Sequence, residues 1–283
     1  MAYIPPHFLN TVVAVGTGDD PENLSWIGTG FLYGEFLEKS VERKQSAYQV
    51  WLVANKHVLD GFKGIYIKFN SSQNLESKNY YVPLLFKNGR PRWVGHINER
   101  IDVAVIWLNP DFLQREQRKF NLFKSDQDIF KKADMISSGI SEGDNIFVLG
   151  FPMGLVSTIQ QYVICRGGNI ARIRDYIDGL STSFIVDAPV FPGNSGGPVI
   201  LCPSIYAING TKPIKQSVLL GIVKAYIPYR DVAISGQTNQ PRISFEENSG
   251  LAIIESVDSI IETIDRATKR IAQRKARKTQ RRN

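Results

Sequence analysis

Up to about residue 255 the chain alternates short apolar runs with polar turns. The clearest runs are Val50 to Ala54, Gly64 to Asn70, Val103 to Leu108, Ile146 to Gly150, Phe184 to Val186, Pro198 to Leu201 and Val218 to Tyr226. Between Gly64 and Asn70, Ile65, Ile67 and Phe69 alternate with Tyr66 and Lys68, the two-residue period of a strand. Several other runs are rich in Val and Ile and too short for core helices, so the pattern predicts an all-β barrel or sandwich. Two stretches are notably polar, Asn70 to Asn79 and Gln114 to Lys132. The second reads as a connection between two barrels, with Phe120, Leu122 and Phe123 available to pack it down.

The period changes at Glu255. Val257, Ile260, Ile261, Ile264 and Ile271 recur at helical spacing, with Asp258 and Glu262 early and basic residues late. That polarity complements a helix dipole, so a C-terminal amphipathic helix is expected. The whole chain of 283 residues has a net charge of +7, from 34 basic and 27 acidic side chains. Nine of the basic residues lie from Arg266 onward and no acid follows Asp265, which leaves the body at −2. The tail 266–283 is therefore where an anionic partner or nucleic acid would attach, the plainer reading being a solvated helix end. A content of 43% hydrophobic and 22% charged residues excludes a disordered or collagen-like chain. The N-terminus has no basic segment and is broken by Pro5 and Pro6, a poor secretory signal. No window approaches the roughly 18 apolar residues of a membrane span. With only Cys165 and Cys202, these features lead to the expectation of a cytoplasmic protein.

Three segments carry chemistry. Phe191-Pro192-Gly193-Asn194-Ser195-Gly196-Gly197-Pro198 is either a glycine-rich turn or the seat of a nucleophile. A serine needs an adjacent base, together with N–H donors aimed at the carbonyl oxygen it attacks. The run Val50 to Ala54 ends at His57, placing an imidazole at the mouth of a strand. Asp102 stands just before the apolar run Val103 to Leu108, where a carboxylate needs a partner such as a histidine N–H. His7 and His96 have no such setting.

The order His57, Asp102, Ser195, with intervals of 45 and 93 residues, resembles that of the trypsin-like serine peptidase superfamily. Gly28-Thr29-Gly30-Phe31-Leu32, Leu52 to Val58, Gly150-Phe151-Pro152-Met153-Gly154, Asp187-Ala188-Pro189 and Ser249 to Ile253 are similar to the bacterial HtrA-like branch. The resemblance implies two antiparallel β-barrels of chymotrypsin type followed by an α-helix. Residues 1–118 would form the barrel with His57 and Asp102, 119–140 the connection, 141–255 the barrel with Ser195, and 256–283 the helix and basic tail. It also implies a Ser-His-Asp triad, an oxyanion hole from the N–H groups of Gly193 and Ser195, and a protein or peptide substrate.

The departures from the family pattern carry their own expectations. Val58 replaces the cysteine of vertebrate-type trypsins, and Asn194 replaces the aspartate that receives their new N-terminus, so that activation route is not expected. The chain ends too soon for the PDZ domain of HtrA proteins. The pocket would be lined by Pro189, Lys224, Ala225 and Tyr226. Proline rather than aspartate at 189, with Tyr226 narrowing the wall, favours small or medium apolar side chains at the cleavage site. Lys224 stands where the family has a small hydroxyl residue, and either pairs with Asp102 or faces solvent. No zinc, phosphate or dinucleotide pattern occurs, so no metal or cofactor is implied. Two competing functions are a non-cleaving peptide-binding module of the same fold and a protein tethered to nucleic acid by its tail.

Overall fold

The computed structural model describes residues 3–39, 46–73, 75–205, 208 and 211–280. Strands β1 (Val12–Thr17), β2 (Ser25–Lys39), β3 (Ser46–Ala54), β4 (Gly64–Ser71), β5 (Lys78–Pro83), β6 (Val94–Gly95) and β7 (Ala104–Leu108) form the first sheet. Their order is β5-β4-β1-β2-β3-β7-β6, and β8 (Arg118–Lys119) and β9 (Phe123–Lys124) add to β4 and β2. The second unit is a closed barrel of β10 (Asn145–Gly150), β11 (Ile164–Arg172), β12 (Ser183–Asp187), β13 (Pro198–Leu201), β14 (Val218–Ile234) and β15 (Pro241–Ser256), in the order β10-β11-β12-β15-β14-β13. A helix, Val257–Gln280, follows β15 directly. The protein is all-β in class, with the two-barrel plan of chymotrypsin. The first unit is the more open of the two, since β5 and β6 are edges of its pairing path.

The strand period explains why so many runs are apolar throughout. Val13 and Val15, Leu32, Leu52 and Ala54, and Ala104 and Ile106 point into the core of the first unit. Their neighbours Val12 and Ala14, Phe31 and Tyr33, Trp51 and Val53, and Val105 point the other way, into a middle core. The second unit divides likewise. Ile146 and Val148, Val199 and Leu201, and Val218 and Leu220 fill its barrel. Leu149, Ile200 and Leu219 face the middle core. The helix closes that core with Val257, Ile260, Ile264 and Ala267, and Ile261 and Ile271 pack at its margin. Along these stretches the strands bury both faces, and alternation in the sequence is between two cores rather than between core and water.

The connection between the units is fastened through Phe123, which is fully buried and meets Phe8 and Phe31 edge to face at 4.7 and 5.5 Å. Beyond Tyr226, β14 and β15 continue as a two-stranded ribbon as far as Ile234 and Pro241, and this extension is solvent-exposed. Phe123→Ala is expected to cost about 3–5 kcal/mol in urea unfolding. Leu180→Ala, at a turn where the side chain is 83% exposed, is expected to cost less than about 0.5 kcal/mol in the same assay.

Candidate active site

His57 sits in the short helix Lys56–Leu59 that begins as β3 ends. Asp102 lies just before β7, the strand that pairs with β3 residue by residue from Ala54–Ala104 to Val50–Leu108. That register fixes the spacing of the two residues. The Asp102 carboxylate takes the His57 ring at Nδ1 through Oδ2 and accepts the His57 backbone N–H at Oδ1, 3.2 Å away. Asn55, fully buried at the end of β3, donates its side-chain amide to the Asp102 carbonyl at 2.6 Å. Burial pushes the Asp102 carboxyl up, but the hydrogen bonds and charge of His57 outweigh this and hold it below its ordinary 3.8.

Ser195 belongs to the turn before β13. Gly193 and Gly196 have φ of 97° and 87°, in the left-handed region that favours glycine. A Cβ on Gly196 would lie 1.9 Å from the Thr29 carbonyl oxygen, and one on Gly193 would lie 2.3 Å from that of Phe151. The turn is clasped from both sides. Thr29 Oγ1 donates to the Gly193 carbonyl at 2.6 Å and accepts the Phe151 N–H at 3.1 Å, and the Thr29 N–H donates to the Ser195 carbonyl at 2.9 Å. The Met153 N–H donates to the Pro192 carbonyl at 2.6 Å. In a trans peptide, C=O and N–H point in opposite directions, so the Gly193 N–H faces away from the Phe151–Gly154 turn. Among the described residues neither the Gly193 nor the Ser195 N–H meets an acceptor.

The Ser195 hydroxyl donates to the Lys224 carbonyl, 3.4 Å away on β14, rather than to the imidazole. A loose nucleophile–base contact is common in a site without substrate. Contact between the two units is close nonetheless. A Cβ on Gly28 would meet Val58, next to His57, at 2.9 Å and the Ser195 carbonyl at 3.3 Å.

Lys224 does not pair with the Asp102 carboxylate. Its ammonium pairs with Glu255 at 2.9 Å, and its side chain is 30% exposed. Asn194 is fully buried and turned to its own loop, its Oδ1 accepting the Phe191 N–H at 3.1 Å. Pro189 is exposed, and its carbonyl accepts from Arg166, whose guanidinium lies 5.0 Å from the Phe191 ring. Tyr226 is half-buried and donates its hydroxyl to Glu246 at 2.9 Å. Ala225 pairs with Ile253 on β15. Two cavities of about 710 and 750 Å3 lie elsewhere, one beside Cys202 and one beside Lys68, and neither is lined by His57, Asp102 or Ser195. Among the described residues no group of three or more His, Cys, Asp or Glu is placed to hold a metal.

Three residues of this site escape a reading of the three motifs alone: Thr29, Glu255 and Arg166. Glu255 carried a usable signal, an acid ending the apolar run Leu251 to Ile254. The signal is the one that singles out Asp102. At the basic end of the helix Arg266 donates to the Gly95 carbonyl at 2.6 Å and Arg274 lies 4.8 Å from the Phe86 ring. Residues 281–283 of the tail lie outside the described residues.

The family model of the trypsin-like peptidase domain matches residues 28–202, and the chain belongs to that family. A curated protein of Chlamydia trachomatis serovar D, named "Probable periplasmic serine endoprotease DegP-like", is 27% identical over 175 residues. That alignment takes in 61% of this chain, which spans about a quarter of the relative's length (25%). Among solved structures, an inactive form of a mutant of Rv3671c from M. tuberculosis H37Rv matches 93% of this chain and 88% of its own, at 14% identity and a TM-score of 0.44. No helix among the described residues is long and apolar enough to cross a membrane.

Thr29→Val is expected to release the clasp on the serine turn, lowering kcat on a peptide substrate about ten- to a hundredfold and stability by about 1–3 kcal/mol, with Thr29→Ser restoring most of both. Because the Asp102 carboxyl is depressed in the folded state, its stabilising contribution is present above the unfolded value and is lost as pH falls through the folded one. The stability advantage of wild type over Asp102→Asn is therefore expected to be constant from neutral pH to about 5 and to shrink below about 4, as read from unfolding curves at stepped pH.

Proposed function

We propose that the protein is a serine endopeptidase. The observation that carries this reading is the pair of unpartnered N–H groups, Gly193 and Ser195, on a rigid turn beside the bonded His57–Asp102 pair. In the proposed reaction Ser195 Oγ attacks a peptide carbonyl while His57 Nε2, the ring nitrogen not engaged by Asp102, accepts the hydroxyl proton. The two N–H groups bind the oxyanion. His57 then gives the proton to the leaving amine, and water hydrolyses the acyl-serine by the same steps in reverse order of partners. Asp102 orients His57 and offsets the imidazolium charge. The substrate is a protein or peptide, in keeping with the family.

For the cleavage-site pocket the proposed lining is Pro189, the backbone of Lys224, Ala225 and Tyr226. Support comes from Tyr226 being pinned by Glu246, and from the Arg166 guanidinium against Pro189 and Phe191, a positive charge where a basic side chain would be repelled. Small or medium apolar side chains are preferred. For the compartment, two free thiols favour a reducing one, whereas the curated relative is named as periplasmic.

Wild type is expected to react with a fluorophosphonate probe and to cleave a peptide library. Ser195→Ala should do neither while unfolding like wild type. Binding of peptides without cleavage would favour a non-cleaving module instead. A cleavage profile dominated by Arg or Lys would overturn the pocket assignment.

A further inference from the structure

Glu255 is 1% exposed, and one oxygen of its carboxylate has no hydrogen-bond partner among the described residues. The other oxygen accepts twice. It takes the Lys224 ammonium at 2.9 Å and the backbone N–H of Asp102 at 3.1 Å. A second bond runs from the same ammonium to the carbonyl of Arg100 at 2.7 Å. Lys224 thus reaches the Asp102 segment with its side chain and the Ser195 hydroxyl with its carbonyl. Glu255 and Lys224 stand on β15 and β14 of the second unit, whereas Asp102 and His57 belong to the first. On its other side the Asp102 peptide is held by Asn55. A buried carboxylate with one idle oxygen is costly to keep, and an apolar pair of equal volume would pack the seam at no such cost.

We propose that Lys224 and Glu255 form a charged brace across the seam between the two units. The brace positions the Asp102 segment against His57 and keeps the buried negative charge beside the triad neutralised. Both are positioning residues, and the proposal rests on the peptidase reading above. Loss of the ammonium leaves an uncompensated carboxylate next to Asp102, which favours the imidazolium of His57. Loss of the carboxylate leaves an uncompensated ammonium, which disfavours it. Lys56, next to His57 in sequence, interacts with Asp102, Glu99, Arg266 and Glu255, and all of these but Glu255 are retained in every variant described next.

The experiment compares wild type, Lys224→Met, Glu255→Gln and the double variant in full-length protein, by the pH profile of kcat/KM on one peptide substrate. Glu255→Gln is nearly isosteric and keeps an oxygen for the Asp102 N–H, so it serves even where Lys224→Met does not fold. In Lys224→Met the acid limb should move up by about half a pH unit, and in Glu255→Gln down by a similar amount. The kcat of Lys224→Met should fall about ten- to a hundredfold with KM changed less than about threefold. The double variant should return the acid limb to that of wild type and lose less than the product of the two single losses. A merely structural role would lower activity with the acid limb fixed. An active wild type whose Glu255→Gln variant keeps both its kcat and its acid limb would overturn the brace alone. A wild type that neither cleaves nor reacts with a fluorophosphonate would overturn the peptidase reading, and the brace with it.

Discussion

The structure depends on the middle core, the apolar layer shared by the first sheet, the second barrel and the C-terminal helix. Phe31, Trp51, Val105, Leu149, Ile200, Leu219 and Ile260 all contribute to it. Each unit also has an interior of its own, but only this layer sets one unit against the other. His57 and Asp102 come from one side and Ser195 from the other, so their relative placement is a property of that layer. Packing at close to crystal density gives such a joint little freedom to slide.

Polar clasps finish what the apolar layer begins. Thr29, on β2 of the first sheet, holds the serine turn of the second unit through its hydroxyl and its N–H. Glu255, on the last strand of the second barrel, holds the Asp102 peptide of the first. In each of these bonds the first unit donates and the second accepts, and both Thr29 and Glu255 are buried. A hydrogen bond there has no competing solvent, and its loss leaves a buried group unsatisfied. The glycines act in the same cause, because Gly196 allows the Thr29 carbonyl to approach closer than any side chain would permit.

Much of this was legible in the sequence, for stated physical reasons. Short Val- and Ile-rich runs mark strands buried on both faces, and the helical period from Val257 marks the closing helix. Asp102 was visible because an acid at the edge of an apolar run must be paired. The ribbon beyond Tyr226 was not legible, since a two-stranded extension in solvent has backbone pairing but no buried face to impose alternation. The partner of Lys224 was hidden for another reason. Its acid lies 31 positions later on an adjacent strand, where a register shift between Val223 and Ala225 decides which residues meet. Pairing of that kind is a tertiary fact, carried by a bulge that no local pattern announces.

Net charge turns out to say little about the site. The +7 of the chain is concentrated at the far end of the closing helix, while the body is nearly balanced. At physiological ionic strength exposed charges are screened beyond about 8 Å, whereas buried pairs are screened much less. The charges closest to His57 are instead those of the seam, Asp102 bonded to its ring and the Lys224–Glu255 ion pair on the Asp102 backbone. Near the start of the basic helix end, Arg266 donates to the Gly95 carbonyl of β6. Farther along the helix Arg274 meets the Phe86 ring at 4.8 Å, and Arg92 meets the same ring at 5.5 Å.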